Sequence, residues 1–265
     1  MSYEAIIYET STEGVATITL NRPQRLNAFN QQMCLDLANV WTEIRENDSI
    51  NSVVIRAAGD RAFCTGVDVV EGPDGKGHLS DHRGKPWEWE DPSVQLGPKS
   101  NRVWKPIICA VHGMFAGGAF YFLNESDIVI CSDDATFFDP HVTFGQVSAC
   151  EPTGMLGRIP YGEILRIVLM GNDERVSAQT ALRIGLVSEV VPRERLFSRA
   201  HEIAAIIAAK ASVATQGTVR AVWEGRDLPA SSAVMNAYKY TQLGNPVGQA
   251  LVDRKTVPKA KWTLR

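Results

Sequence analysis

The strongest constraint on the fold is a pattern that occurs twice: an apolar, strand-like run that leads into a glycine-centred turn. Val53-Val54-Ile55 precedes Arg61-Ala62-Phe63-Cys64-Thr65-Gly66-Val67-Asp68. Ile107-Ile108-Cys109-Ala110-Val111 precedes His112-Gly113-Met114-Phe115-Ala116-Gly117-Gly118-Ala119. A glycine turn leaving a strand points backbone N–H groups into a pocket. Two such turns side by side hold one developing oxyanion, often the largest single contribution in acyl chemistry.

The surrounding pattern predicts an α/β core. Ala5-Ile6-Ile7-Tyr8 and Val15 to Leu20 read as strands joined across Glu13-Gly14. Asn30 is placed to cap a helix through Ile44, with Met33, Leu37, Val40, Trp41 and Ile44 at helical spacing. A buried strand, Ser52 to Ala57, follows, so strand–helix–strand gives a parallel βαβ unit. Glu71 to Asp91 breaks the pattern with glycine, proline and charge, and reads as a loop at the strand ends, a lid in which Trp87 and Trp89 cover a ligand or pack the loop down. Beyond it the sequence predicts a helix from about Gly118 to Asn124 and strands at Ile128–Ile130 and Thr136–Phe138. A helix at Ala178–Ile184 and a strand at Leu186–Val191 follow. From Glu194 onward the chain reads as helical, broken at Leu228-Pro229 and ending in a basic tail. The expected division is a core of residues 1–192 and a helical region of residues 193–265.

Bulk properties narrow the function classes. With 265 residues and 45% hydrophobic content, the chain is long enough for one large domain with a helical appendage. A net charge of -3 gives no overall case for nucleic acid or an anionic membrane. Cys34, Cys64, Cys109, Cys131 and Cys150 are scattered without CxxC spacing and read as buried free thiols. The five histidines are equally dispersed, so no metal is expected. The amino terminus lacks a signal-peptide pattern and no apolar run spans a bilayer, so the expected setting is a reducing cytoplasm.

The chemistry-bearing candidates are backbone groups. Ligands sit at the carboxyl ends of parallel strands, where both glycine turns lie. The Val67 and Gly118 N–H groups are the candidate oxyanion donors, and the helix opening at Gly118 adds the positive end of its dipole. Gly113-Met114-Phe115-Ala116-Gly117 lacks GxGxxG spacing, and neither a phosphate-loop nor a GxSxG motif occurs near the turns.

These segments, in this order, resemble the crotonase (enoyl-CoA hydratase/isomerase) superfamily. The matching text is Leu20-Asn21-Arg22-Pro23 with Leu26-Asn27-Ala28-Phe29, then Ala62 to Asp68, Ala110 to Gly113 and Ala116-Gly117-Gly118. It continues with Asp127 to Ile130, Ala135-Thr136-Phe137, Ala181 to Val187 and Val190-Val191. The resemblance implies a spiral of ββα repeats, a C-terminal helical trimerisation region, and trimers that pair into hexamers. It implies a coenzyme A thioester substrate, with coenzyme A entering as part of that substrate and no separate cofactor. The family's oxyanion hole falls on Val67 and Gly118. The stretches that hold the CoA moiety fall on Arg25, Ala28, Cys64, Gly66, Asp68 and Gly117. Leu251 and Arg254 match C-terminal positions that reach the adenine and phosphate end, often across a subunit interface.

The chain departs from the family where the hydratases carry two glutamates that handle water and the α-proton. The first position is Tyr121 and the second is His141. His141 is the candidate base or acid, since imidazole exchanges protons near neutral pH. Glu151, ten residues on, is a second candidate, and as its partner would fix the imidazole tautomer. Tyr121 is placed to donate a hydrogen bond, and Asp139 is a further, weaker candidate. The implied reaction is hydration or isomerisation of an acyl-CoA through an enolate. The alternatives are hydrolytic C–C cleavage of a β-dicarbonyl compound and a catalytically degenerate acyl-CoA-binding protein.

Overall fold

Strands β1 (Ile6–Thr10) and β2 (Val15–Leu20) form the expected antiparallel hairpin, with Gly14 at φ +77° in its turn. Helix α1 (Gln31–Glu46) then crosses to β3 (Ser52–Ala57), which lies parallel to β2. The Asn30 side chain accepts a hydrogen bond from the Met33 N–H, capping α1 as its residue type predicts. This computed structural model of the chain describes residues 3–71 and 91–257 together with Trp262 and Leu264. The expected lid therefore falls almost wholly outside the described residues, with Trp87 and Trp89 in it.

The following segments step repeatedly between two sheets. β4 (Ala62–Cys64) follows β3; after α2 (Ser93–Leu96), β5 (Ile107–Val111) leads into β6 (Met114–Ala116). After α3 (Phe120–Asn124), β7 (Ile128–Ser132) leads into β8 (Thr136–Phe138). Then come α4 (Cys150–Gly154), α5 (Tyr161–Leu169), β9 (Val176–Ser177), α6 (Ala178–Ile184) and β10 (Glu189–Val191). The first member of each strand pair joins a six-stranded sheet, β1-β2-β3-β5-β7-β10, and the second joins a four-stranded sheet, β4-β6-β8-β9. That alternation is the repeating ββα spiral, and the first two of its three crossings carry a glycine, Gly59 and Gly113.

A cluster of phenylalanines fills the space between the sheets. Phe115 stacks within 5.2–5.4 Å of Phe63, Phe120 and Phe137, all buried. The opposite face of the six-stranded sheet is covered by α7 (Leu196–Ala208), whose Leu196, Ala200, Ala204 and Ala208 pack on Val15, Val54, Ile108, Ala110 and Ile130. Small residues bring this helix close enough for Ser52 Oγ to donate to the Ala204 carbonyl at 2.9 Å. A boundary at residue 193 thus passes between the sheet and the helix that covers it. Helices α8 (Ser212–Arg226) and α9 (Ala230–Ala250) form a hairpin beyond, separated at Pro229 as expected. Asp127 holds them to the body: it accepts from Trp223 Nε1 at 2.5 Å, Lys99 Nζ at 2.8 Å and the Ile107 N–H at 2.7 Å.

Two local expectations change. The strand expected over Leu186–Val191 begins only at Glu189, because Gly185 closes α6 at φ +83° and the Leu186 N–H bonds back to the Ala181 carbonyl at 2.9 Å. Leu186 is buried as a core residue without entering the ladder. The helix expected from Gly118 opens with a 3-10 turn, Gly117–Ala119, leaving only five α-helical residues. Four cysteines are buried and Cys150 is exposed. No helix among the described residues is long and apolar enough to cross a membrane.

Candidate active site

Strands β4 and β6 are parallel neighbours, so the turns that follow them leave the same side of the smaller sheet. The turns touch. Gly66 stands at φ +87°, and a Cβ on it would sit 3.0 Å from the Gly118 nitrogen and 3.2 Å from the Ala116 carbonyl oxygen. Glycine is required there for its backbone angle and for the close approach. Phe29 bridges the first turn: its N–H donates to the Gly66 carbonyl at 2.9 Å, and its carbonyl accepts from the Asp68 N–H at 2.8 Å. Because residues on either side of Val67 make these bonds, the Val67 N–H faces the other way. The Gly118 N–H opens a helical turn, where donors lack an intrahelical acceptor. Neither group donates to another described residue. With only five residues, α3 is too short to present an extended helix dipole at Gly118.

The first turn is braced by buried polar contacts. Asp68 is 2% exposed and accepts from Arg22 Nη1 at 3.1 Å, Arg25 Nη2 at 3.0 Å and Arg25 Nε at 3.2 Å. The Val70 and Glu71 N–H groups donate to it as well, at 3.0 and 3.2 Å. Burial alone would raise its carboxyl, but these donors outweigh it and hold the group at about 2. Asn27, fully buried at φ +54°, accepts from the Arg22 N–H at 2.9 Å and donates to the carbonyls of Ala58 and Ala62 at 2.9 and 3.0 Å. One side chain thus ties the Arg22 loop to both ends of the Ala58–Ala62 connection behind the turn.

Three of the proton-handling candidates meet on the other side of the second turn. A Cβ on Gly117 would contact Pro140 Cδ at 3.5 Å and His141 Cε1 at 3.6 Å, so the second glycine turn lies against the imidazole. A Cβ on Gly118 would lie 3.3 Å from Tyr121 Cε2. His141 Nδ1 lies 2.5 Å from Asp139 Oδ1, and Nε2 lies 3.7 Å from Glu151 Oε1. The carboxylate that fixes the tautomer is therefore Asp139, in place of the expected Glu151. In the neutral ring that pairing places the hydrogen on Nδ1 and leaves the lone pair on Nε2. Asp139 is fully buried and also accepts from Ser148 Oγ at 2.9 Å and from the His141 N–H at 3.0 Å. The hydrogen bond to Asp139 raises the His141 imidazole above its ordinary value against the opposing effect of burial. The 3.7 Å gap to Glu151 exceeds a direct hydrogen bond and leaves Nε2 uncommitted.

Glu151 is 5% exposed, and burial raises its carboxyl, offset in part by His141 and Tyr121. The Tyr121 hydroxyl donates to Asp91 Oδ2 at 3.2 Å, with the Glu151 carboxyl nearby. Burial, with Glu151 and Asp91 nearby, keeps the phenol protonated far above neutral pH. Asp139, His141 and Glu151 each offer a ligand atom, all within 4.8 Å of one another, a donor set for a divalent ion that the dispersed histidines did not suggest. Ligation through Nδ1 would have to displace the proton shared with Asp139.

The remaining candidates divide into those near the turns and those far from them. Arg25 is committed to Asp68, and the Ala28 carbonyl accepts from Arg22 Nη1 at 2.5 Å. Cys64 is buried with its thiol against the Gly66 N–H at 3.4 Å, and burial pushes it up to about 12, so its side chain is turned away from solvent. Leu251, 69% exposed, and exposed Arg254 follow α9 and make no described contact with the turns. Asp91, Ser148 and Arg22 were not singled out from sequence. Arg22 carried a signal, since it stands in the Asn21-Arg22-Pro23 segment. Asp91 carried none, lying at the edge of an irregular stretch.

The sequence profile described as enoyl-CoA hydratase/isomerase matches residues 10–239. The chain is 32% identical over 230 residues to (E)-benzylidenesuccinyl-CoA hydratase of Thauera aromatica, covering 84% of each chain. It is 32% identical over 194 residues to 1,2-epoxyphenylacetyl-CoA isomerase of Escherichia coli (strain K12), covering 72% of each. A crystal structure of an enoyl-CoA hydratase/isomerase from Mycobacterium paratuberculosis superposes with a TM-score of 0.80 at 36% identity, over 96% of this chain and 92% of that one.

Proposed function

The chain belongs to the enoyl-CoA hydratase/isomerase family and transforms acyl-CoA thioesters, and from that premise we propose that it works through an enolate held by the Val67 and Gly118 N–H groups, with His141 as its proton carrier. The observation that carries this reading is the contact of the two turns with each other and with the imidazole, through Gly66, Gly118 and Gly117. A thioester oxygen between the two donors puts the acyl α-carbon beside His141, where a positioned base contributes about 10²–10⁴-fold. Asp139 orients the ring, and Glu151 stands opposite Nε2 as the second proton-exchanging group. Tyr121 keeps its proton and donates.

Enolate formation is read directly by incubating the enzyme with butyryl-CoA in D₂O. Deuterium enters the α-position with the native enzyme, and His141→Gln slows exchange by at least about 10²-fold. Absence of exchange with the native enzyme, while butyryl-CoA binds, would refute the enolate reading. Hydrolytic cleavage of a β-dicarbonyl thioester is a second reading, favoured by the 2.5 Å Asp139–His141 bond, an arrangement suited to activating water.

The CoA moiety would lie along Ala28, Cys64 and Gly66, with Arg25 and Asp68 bracing that wall. Leu251 and Arg254, being remote from the turns of their own chain, would complete the site of a neighbouring subunit in a homotrimer or a dimer of trimers. The apolar residues left exposed along α9, including Val234, Met235, Tyr238, Leu243 and Val247, support that assembly. Light scattering of the full chain tests it, a monomer being the opposing result.

A further inference from the structure

The wall beyond the second oxyanion donor carries three acidic side chains and no free cation among the described residues. Asp91 receives the Tyr121 hydroxyl, Glu151 faces His141 Nε2, and Asp139 is paired to Nδ1 of the same ring. Of the positive charges nearby in the fold, Arg22 and Arg25 are bound to Asp68 and Glu71 at 3.0–3.1 Å, while Arg175 keeps its charge but is held on the Phe138 ring at 4.4 Å and makes no ion pair with Asp91 among the described residues. The His141 ring is paired with Asp139, and among the described residues no cation makes an ion pair with Asp91. A like charge brought into a partly desolvated site beside it is strongly disfavoured.

We propose that this wall selects the acyl group by charge, accepting a neutral acyl chain and rejecting one that carries a second carboxylate, with Asp91 as the specificity-determining residue. The inference rests on the reading that an acyl-CoA binds with its thioester oxygen between Val67 and Gly118. Asp91 is well placed for the role. Its backbone turn is fixed by Oδ1 accepting from the Ser93 N–H at 2.9 Å, its other oxygen accepts from the Tyr121 hydroxyl at 3.2 Å, and that phenol touches the Gly118 turn. A neutral chain meets the rings of Phe29 and Tyr121, which lie 6.4 Å apart on that side of the turn.

Butyryl-CoA and succinyl-CoA test the proposal, since they share a four-carbon acyl chain and differ by a terminal carboxylate. Their dissociation constants are measured by calorimetry on the full chain, and their α-exchange rates in D₂O. The native enzyme is expected to bind butyryl-CoA at least about 10²-fold more tightly. Asp91→Asn, which keeps an oxygen for the Tyr121 hydroxyl, is expected to narrow that ratio by about tenfold or more. Comparing two ligands on one variant cancels any general loss of folded protein. Equal or tighter binding of succinyl-CoA by the native enzyme, or an unchanged ratio in Asp91→Asn, overturns the proposal. Binding of butyryl-CoA without exchange leaves the charge selection standing and refutes only the catalytic reading. Failure of both thioesters to bind refutes the seating of the acyl group and the selection with it.

Discussion

Gly66→Ala separates the backbone requirement of the first turn from its chemistry. The residue stands at φ +87°, where an L side chain costs about 1–2 kcal/mol. Its new Cβ would also press on a backbone nitrogen at 3.0 Å and a carbonyl at 3.2 Å, neither of which can swing away as a flexible side chain can. Gly157→Ala is the internal control: φ +77°, exposed, with nothing within 4 Å of the added carbon. Both substitutions stiffen the unfolded chain by a similar amount, so that contribution cancels in the comparison. Gly157→Ala should destabilise by about 1 kcal/mol, and Gly66→Ala by about 2–4 kcal/mol, as the turns are forced apart. The atom pressed upon is the proposed second oxyanion donor. Displacing it should cost a further 10²–10³-fold in turnover, as loss of one such donor does. Urea unfolding and α-exchange of butyryl-CoA, measured on both variants, check the two effects separately. If Gly66→Ala loses stability as expected yet exchanges protons as fast as Gly157→Ala, the paired-donor argument is wrong.

Asp139→Asn should lower kcat by about 10²–10⁴-fold with little change in KM, since it misorients the ring without touching the CoA wall. As base, His141 acts unprotonated, so activity rises with pH through its titration. Its raised value puts that acid limb above about 6.5, and Asp139→Asn brings the limb down as the raising hydrogen bond is lost. A pH–rate profile reads both changes. Asp68, held at about 2 against an unperturbed 3.8, contributes stability that is full above the unfolded value and is lost as pH falls through the folded one. The window lies near pH 4 to 2, the contribution is about 2 kcal/mol, and Asp68→Asn should flatten the unfolding free energy across it. Chelation should leave exchange unchanged if His141 acts as an imidazole, whereas loss and recovery on adding a divalent ion would assign Asp139, His141 and Glu151 to a metal.

Much of this arrangement was legible in the residues themselves. The capped helix after Asn30, the parallel strands and the two glycine turns follow from local rules, because cap chemistry, periodicity and positive φ act within a few residues. The meeting of those turns depends on β4 lying beside β6, a pairing between distant segments, and the family resemblance supplied that. His141 and Glu151 do converge, but the carboxylate on Nδ1 is Asp139, two positions earlier. The 3-10 turn at His141–Phe144 folds the ring back over its own approach strand, a local reversal that residue types do not announce. Asp91 was illegible for the opposite reason. Its importance comes from Tyr121, thirty residues on, through a single side-chain bond.

Asn27 bears on time as well as on shape. Its bonds to Ala58 and Ala62 join positions 31 and 35 residues away, and the turn they brace closes only when β4 has found β6. Contacts of that separation form late, since loop closure precedes any gain from them. A chain can therefore hold native helices and its first hairpin while the anion pocket is still absent. Recovery of α-exchange during refolding should lag behind recovery of helical signal, making activity a clock for the last step of assembly.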